Sequence, residues 1–440
     1  MGPFQHLNTP SLYQPHSSPL LQPPSPVSSP PTSHAAHPAQ IHPQPSALEN
    51  HSGKSSGNPE SAAQNAKGGV HPLLGQLFGQ IVHWQSLSVR CENYPFEYFL
   101  DHADIRPASF PALGTLCLFG VPSDLTPFIN TAPNLQTLNL PHTTTIIWQH
   151  DRDPLPIELD IQNIFDTCSN LCSLGLTEHT LYGIVSSPMT PPCSSKIEVL
   201  TVWHCDGYWA DPSDPILPLL RLPSLKVLHL EKSKLESEDT DYGVQFGDEP
   251  GSWEPNCGGL FDDEPEPWPI LKPFVVFVRQ SCFRLTTFSI QCLSISDDSL
   301  VQILILLPTL QDLTIDDSGI SPKCSPISSK FIDSLHAYCS RSLHPQTVPI
   351  IPRLRSLRLL NVAAVKFEDH SVVEMVQSRW SPIKLPTVGT TALEVDCLRL
   401  FTLSFLNRSE EDSGSVYSLL EPIERNGMMI VIQMCGKAVV

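Results

Sequence analysis

The chain has 440 residues, a net charge of −19 and 40% hydrophobic residues, enough apolar content for a sizeable core. The acidic balance, with no basic run to oppose it, excludes general binding to nucleic acid or to an anionic membrane surface, since both need a basic footprint. Thirteen cysteines at irregular spacing do not make a disulfide framework, and they read mostly as reduced core or turn residues, Cys205 and Cys292 among them. No amino-terminal leader pattern and no apolar run of spanning length occurs, so the expected setting is soluble, in the cytoplasm or nucleus.

Forty-five prolines are roughly twice the usual share, and they concentrate near the amino terminus. Residues 1–68 are rich in Pro, Ser, His and Gln and nearly uncharged, so they are expected to be a disordered tail of polyproline character. Pro23-Pro24-Ser25-Pro26 fits a P-x-x-P ligand, and Thr9, Ser18, Ser25 and Ser29 each precede a proline. A recognition or phosphorylation tail and a plain solvated leader both fit that composition.

Residues 69–440 read as one repeat domain. His71 to Val89 opens it with apolar residues at helical spacing that run into Trp84-x-x-Leu87-x-Val89. An L-x-x-L-x-L hexad then recurs at Leu113, Leu135, Leu171, Ile197, Leu225, Leu285, Leu310 and Leu354, and in weaker form at Leu400 with Leu403 and Phe405. The fourth and sixth residues of such a hexad share one side of a short strand, because side chains alternate along β structure. Starting points lie 22 to 60 residues apart; the shorter steps match ordinary leucine-rich repeats and the longer ones carry insertions.

Several hexads follow an apolar helix end and a turn, as in 128–134, 164–170 and 303–309. Alternating helix and strand predicts an α/β leucine-rich-repeat solenoid, a curved parallel sheet with outer helices. An acidic insertion spans about 233–268, with eleven Asp or Glu against Lys234. Glu238, Gly243 and Glu249 fall on calcium-loop spacing there, but Thr240 and Tyr242 stand where oxygen ligands belong, which makes a solvated loop the expectation. An apolar stretch, Met428 to Ile432, is expected as a last strand covering the open edge.

No nucleophile elbow, phosphate loop, zinc-protease, paired C-x-x-C or dinucleotide motif occurs. No catalytic residue, metal ligand or cofactor is therefore assigned, and the expected role is non-catalytic protein binding. The residue after the second hexad leucine should face away from the core, giving a row Ser88, Cys117, Asn139, Gly175, Thr201, His229, Ser289, Thr314, Arg358 and Ser404. Two residues on, a second row holds Arg90, Phe119, Pro141, Thr177, Trp203, Glu231, Gln291, Asp316, Leu360 and Leu406. Candidate protein-binding residues are Phe119, Asn139, Thr201, Trp203, His229, Glu231, Gln291, Asp316 and Arg358. Phe119 and Trp203 are either anchors, as large exposed aromatics tend to be, or are covered by insertions near Tyr208 and Trp209.

Four segments carry a family resemblance: His83-Trp84-Gln-Ser-Leu87; Ala132-Pro-Asn-Leu135-Gln-Thr-Leu138; Leu306-Leu-Pro-Thr-Leu310-Gln-Asp-Leu313-Thr-Ile315; and Val373-Glu-Met375-Val-Gln-Ser-Arg379-Trp380. From about His71 onward the chain resembles fungal, especially basidiomycete, F-box proteins with degenerate leucine-rich repeats. In that family an F-box opening with L-P-x-E-[IL] docks on a Skp-type adaptor, and the repeats hold a substrate for a cullin–RING ubiquitin ligase. The resemblance implies a substrate-recognition subunit, with a protein substrate as partner and a monomer outside the complex. Residues 1–70 hold the Pro/Ser-rich head where the F-box would stand, so a Skp-type adaptor is expected only if an F-box lies upstream. The alternative is a stand-alone scaffold with no ubiquitin link.

Overall fold

The computed structural model describes residues 80–90, 110–119, 125–142, 161–178, 196–204, 216–232, 268–337, 349–363, 367–380, 395–406, 408 and 414–435, all within one compact unit, Ala66–Val440. The Pro/Ser-rich tail, residues 71–79, Cys205, the acidic insertion apart from Trp268, and Tyr208 with Trp209 lie outside the described residues. Among the described residues there are eleven strands: β1 (Ser86–Arg90), β2 (Thr115–Phe119), β3 (Thr137–His142), β4 (Ser173–Thr177), β5 (Val199–His204), β6 (Val227–Lys232), β7 (Thr287–Gln291), β8 (Asp312–Asp316), β9 (Ser356–Ala363), β10 (Leu400–Leu406) and β11 (Met429–Cys435). They form one parallel sheet in chain order, and it does not close, with β1 and β11 at its two edges.

The hexads set this register. In every unit the carbonyl of the second hexad residue takes the N–H groups that open the next strand: Gln136 and Thr137 both donate to Gly114, Glu198 and Val199 to Cys172, and Lys226 and Val227 to Glu198. The same step repeats from Thr286 and Thr287 to Lys226 and from Gln311 and Asp312 to Thr286. Fourth and sixth hexad side chains from β2 to β10 are no more than 1% exposed and form a single core.

Six of the hexads are entered by the same tight turn. Leu113, Leu135, Leu171, Leu225, Leu310 and Leu354 donate their N–H to the carbonyl three residues back, on Phe110, Ala132, Cys168, Leu222, Leu307 and Ile351, all of them buried. Cys168 is thus a core residue of a turn, and burial pushes its thiol up to about 11. The residue just before the first hexad leucine ties one unit to the last: Asn134 donates to the Pro111 carbonyl at 2.6 Å, Asn170 to Pro133 at 3.1 Å and Thr309 to Leu285 at 2.7 Å.

Helices fill the connections: α1 (Thr126–Thr131), α2 (Ile161–Thr167), α3 (Leu271–Ser281), α4 (Asp297–Ile305), α5 (Ser329–Ser334), α6 (Asp369–Trp380), α7 (Gly414–Tyr417) and α8 (Glu421–Arg425). From α3 to α7 each packs on the next. Caps explain two of the starts, since Ser296 and Ser328 accept the N–H of Ser299 and Phe331 at 3.2 Å. Helix α3 ends where Cys282 turns left-handed at φ 50°.

One sequence expectation is corrected here. The last hexad begins at Leu398, not Leu400: Arg399 and Leu400 donate to the Arg355 carbonyl, and Phe401, Thr402 and Leu403 pair with Leu357, Arg358 and Leu359. Thr402, rather than Ser404, therefore stands beside Arg358, and Phe405 belongs with the core. The apolar end, Met429–Cys435, is the last strand expected from sequence: it pairs with β10 over its whole length and so covers the edge of the last hexad strand, becoming the final strand of the sheet itself.

The M-x-x-S-R-W segment has a physical explanation. Arg379 is fully buried, and its guanidinium donates to the carbonyls of Leu335 at 2.5 Å, Ile351 at 2.8 Å and Ile350 at 2.7 Å. Burial holds its pKa down at about 10, which still leaves it charged at neutral pH. Ser378 accepts the Ala337 N–H at 3.1 Å and donates to the Met375 carbonyl at 2.7 Å, so both residues fasten α6 to the preceding segments. A lysine cannot present a planar fork to three carbonyls. Arg379→Lys is therefore expected to cost about 2–4 kcal/mol in urea unfolding, as buried acceptors lose their donors.

Candidate functional site

Because fourth and sixth hexad residues turn inward, the fifth and seventh form the opposite, open face of the sheet. Register sets Asn139, Gly175, Thr201, His229, Ser289, Thr314 and Arg358 side by side on successive strands. Trp203, Glu231, Gln291 and Asp316 form the second row, strand by strand. The sequence placed both rows correctly across this stretch.

Trp203 is the largest group on this stretch of the face, and it lies down rather than standing out. Its indole N–H donates to Glu231 Oε2 at 3.0 Å on one side. On the other, the ring covers Gly175: a methyl added at Gly175 would come within 2.5 Å of Trp203 Cη2 and 2.6 Å of Asn139 Oδ1. Gly175 is buried although it lies on the open face, while Trp203 itself is half-buried. The ring is thus held flat between a carboxylate on β6 and a gap in the side-chain row of β4. Such a fixed aromatic loses little rotamer entropy on contact with a partner.

Beside it, His229 Nδ1 is enclosed and has no hydrogen-bond partner among the described residues. Burial lowers the His229 pKa, while the neighbouring Glu231 works in the raising direction. The ring is accordingly neutral at pH 7. At the end of β5, His204 Nδ1 pairs with Glu178, and its ring meets Trp268 at 4.9 Å between centroids. By alternation along β5, His204 turns to the side of the sheet opposite Trp203, so Glu178, His204 and Trp268 form a separate cluster at the end of the strand, with Trp268 packed against the core. Glu178 follows from the register, because Thr177 pairs with Trp203; nothing in sequence pointed to Trp268, across the long insertion.

The other predicted residues have different surroundings. Gln291 donates to the Ser289 hydroxyl at 3.3 Å, and Arg358 is exposed. Asp316 is taken up in structure: Oδ1 accepts the Ser318 N–H at 2.9 Å, the Ser318 hydroxyl at 2.6 Å and Asn361 Nδ2 at 2.9 Å. Asn361 can reach it because its backbone is left-handed, at φ 55°, where the β9–β10 register shifts. Phe119 sits apart, where an irregularity pairs it with His142, next to a stretch in which the Thr177 hydroxyl closes on the Leu140 and Pro141 carbonyls. The structure thus brings together Asn139, Thr201, Trp203, His229 and Glu231, and separates Phe119, Asp316 and Arg358 from them.

This constellation offers an aromatic surface, a carboxylate, a neutral imidazole and small hydroxyls, the means of non-covalent recognition. Among the described residues no group of three or more His, Cys, Asp or Glu could hold a metal ion, and no helix is long and apolar enough to cross a membrane. No protein-family model matches the chain, and no curated protein matches it.

Gly175→Ala should push the indole off the sheet and break its bond to Glu231, because the blocking atoms are the movable end of a side chain. The expected outcome is a shifted Trp203 indole N–H resonance, assigned against Trp203→Phe, with a stability loss of only about 1 kcal/mol. An unchanged resonance would contradict the arrangement.

Proposed function

We propose that the chain is a leucine-rich-repeat protein, a solenoid of α/β units that binds a protein partner on its open sheet face without catalysing a reaction. The observation that carries the reading is the pinned Trp203: a half-buried aromatic, fixed in advance by Gly175 and Glu231, beside the polar groups of Asn139, Thr201 and His229. Large aromatics in such positions dominate protein interfaces. The recurring hexads and turns, stacked in chain order, support the repeat architecture.

A narrower proposal rests on the resemblance. The chain acts in the cytoplasm or nucleus as a substrate-recognition subunit related to fungal F-box proteins, delivering its partner to a cullin–RING ubiquitin ligase. Binding of a purified Skp-type adaptor is the test of that part. Binding supports the ligase role, and its absence leaves a stand-alone scaffold.

The recognition part is tested separately. Proteins captured by the wild-type chain should be lost at least about tenfold from Trp203→Ala, while Phe119→Ala, distant from the patch, should retain more of them. Equal capture by wild type and Trp203→Ala, with melting temperatures matched, would remove Trp203 from the interface.

A further inference from the structure

In a parallel ladder each residue turns both its N–H and its C=O toward one neighbour, and successive residues alternate sides. Met429 donates to the Arg399 carbonyl at 2.9 Å, so Met429, Val431 and Gln433 face β10. Ile430 and Ile432 therefore turn their N–H and C=O groups outward, away from β10. Nothing pairs beyond β11 among the described residues.

Sheet edges are ordinarily protected by charge, proline or a bulge. Met429–Cys435 reads Met-Ile-Val-Ile-Gln-Met-Cys, with no charged residue and no proline, and it pairs with β10 over its whole length without a shift. Met429, at the start of the strand, is 63% exposed. Ile430 and Ile432, though on the core side of the sheet, are only half-buried.

We propose that this edge pairs with the same edge of a second copy of the chain, antiparallel and centred on Val431. The strand is self-complementary in that register. Ile430 of one copy meets Ile432 of the other in both directions, giving about four backbone hydrogen bonds. Val431 faces Val431, and Met429 faces Gln433. The isoleucines extend the core across the seam, and one patch used twice closes the assembly as a two-fold dimer. This departs from the monomer expected from sequence. The contact is smaller than a standard interface, so the dimer is weak and depends on concentration.

The full-length chain should pass from monomer to dimer in sedimentation velocity across about two decades of concentration. Amide exchange at Ile430 and Ile432 should slow as it does so. Ile432→Pro removes an outward donor that β10 does not use, a position edge strands tolerate, and should weaken the dimer at least tenfold. A chain that stays monomeric, a dimer that forms without slowing exchange at these two amides, or a folded Ile432→Pro variant that dimerises like wild type overturns the proposal. If Ile432→Pro fails to fold, the wild-type exchange result decides.

Discussion

One carbonyl per unit sets the rest of the structure. From Gln85 taking Gly114 and Thr115 to Arg355 taking Arg399 and Leu400, the second residue of each hexad accepts two N–H groups from the start of the next strand, and in the last hexad Arg399 takes that of Met429. A slip of one residue would turn every side chain of a strand to the other face. Fixing that single acceptor therefore fixes which residues build the core and which are offered outward. The long insertions are compatible with this, because they enter between the acceptor and the next donors and leave both in place.

The open face is where that constraint becomes recognition chemistry. A glycine at one register position makes room for the indole of Trp203, and a glutamate on the next strand holds it there. His229 remains neutral beside it, enclosed and with an unpartnered nitrogen. Leaving such an atom unmet is costly. The opposite solution appears at Arg379, where a buried charge is met on three sides by carbonyls. The segment most distinctive in sequence is thus structural, while the patch proposed for binding is built from commonplace residues.

Much of this was legible because short strands leave few alternatives. Leu-x-x-Leu-x-Leu gives the inward pair and, by alternation, both outward rows. The phase failed only at the last unit, where Leu398-Arg-Leu400-Phe401-Thr-Leu403-Ser-Phe405-Leu406 satisfies the hexad in two frames. Apolar spacing cannot choose between them, and the choice falls to Leu398 and Phe401 because Arg399 meets the Arg355 carbonyl. The rows gave positions but not postures. That Trp203 lies flat depends on the absence of a side chain 28 residues earlier, and that Asp316 is occupied depends on a left-handed Asn361 far along the chain.

The most direct test of the account compares adjacent residues on β6. Leu228 is fully buried and its neighbour His229 lies on the open face. Urea unfolding of Leu228→Ala should show a loss of about 2–5 kcal/mol, and that of His229→Ala a much smaller change. Wild-type stability in Leu228→Ala, or equal losses in both variants, would contradict the register from which the core, the open face and the Trp203 patch are all derived.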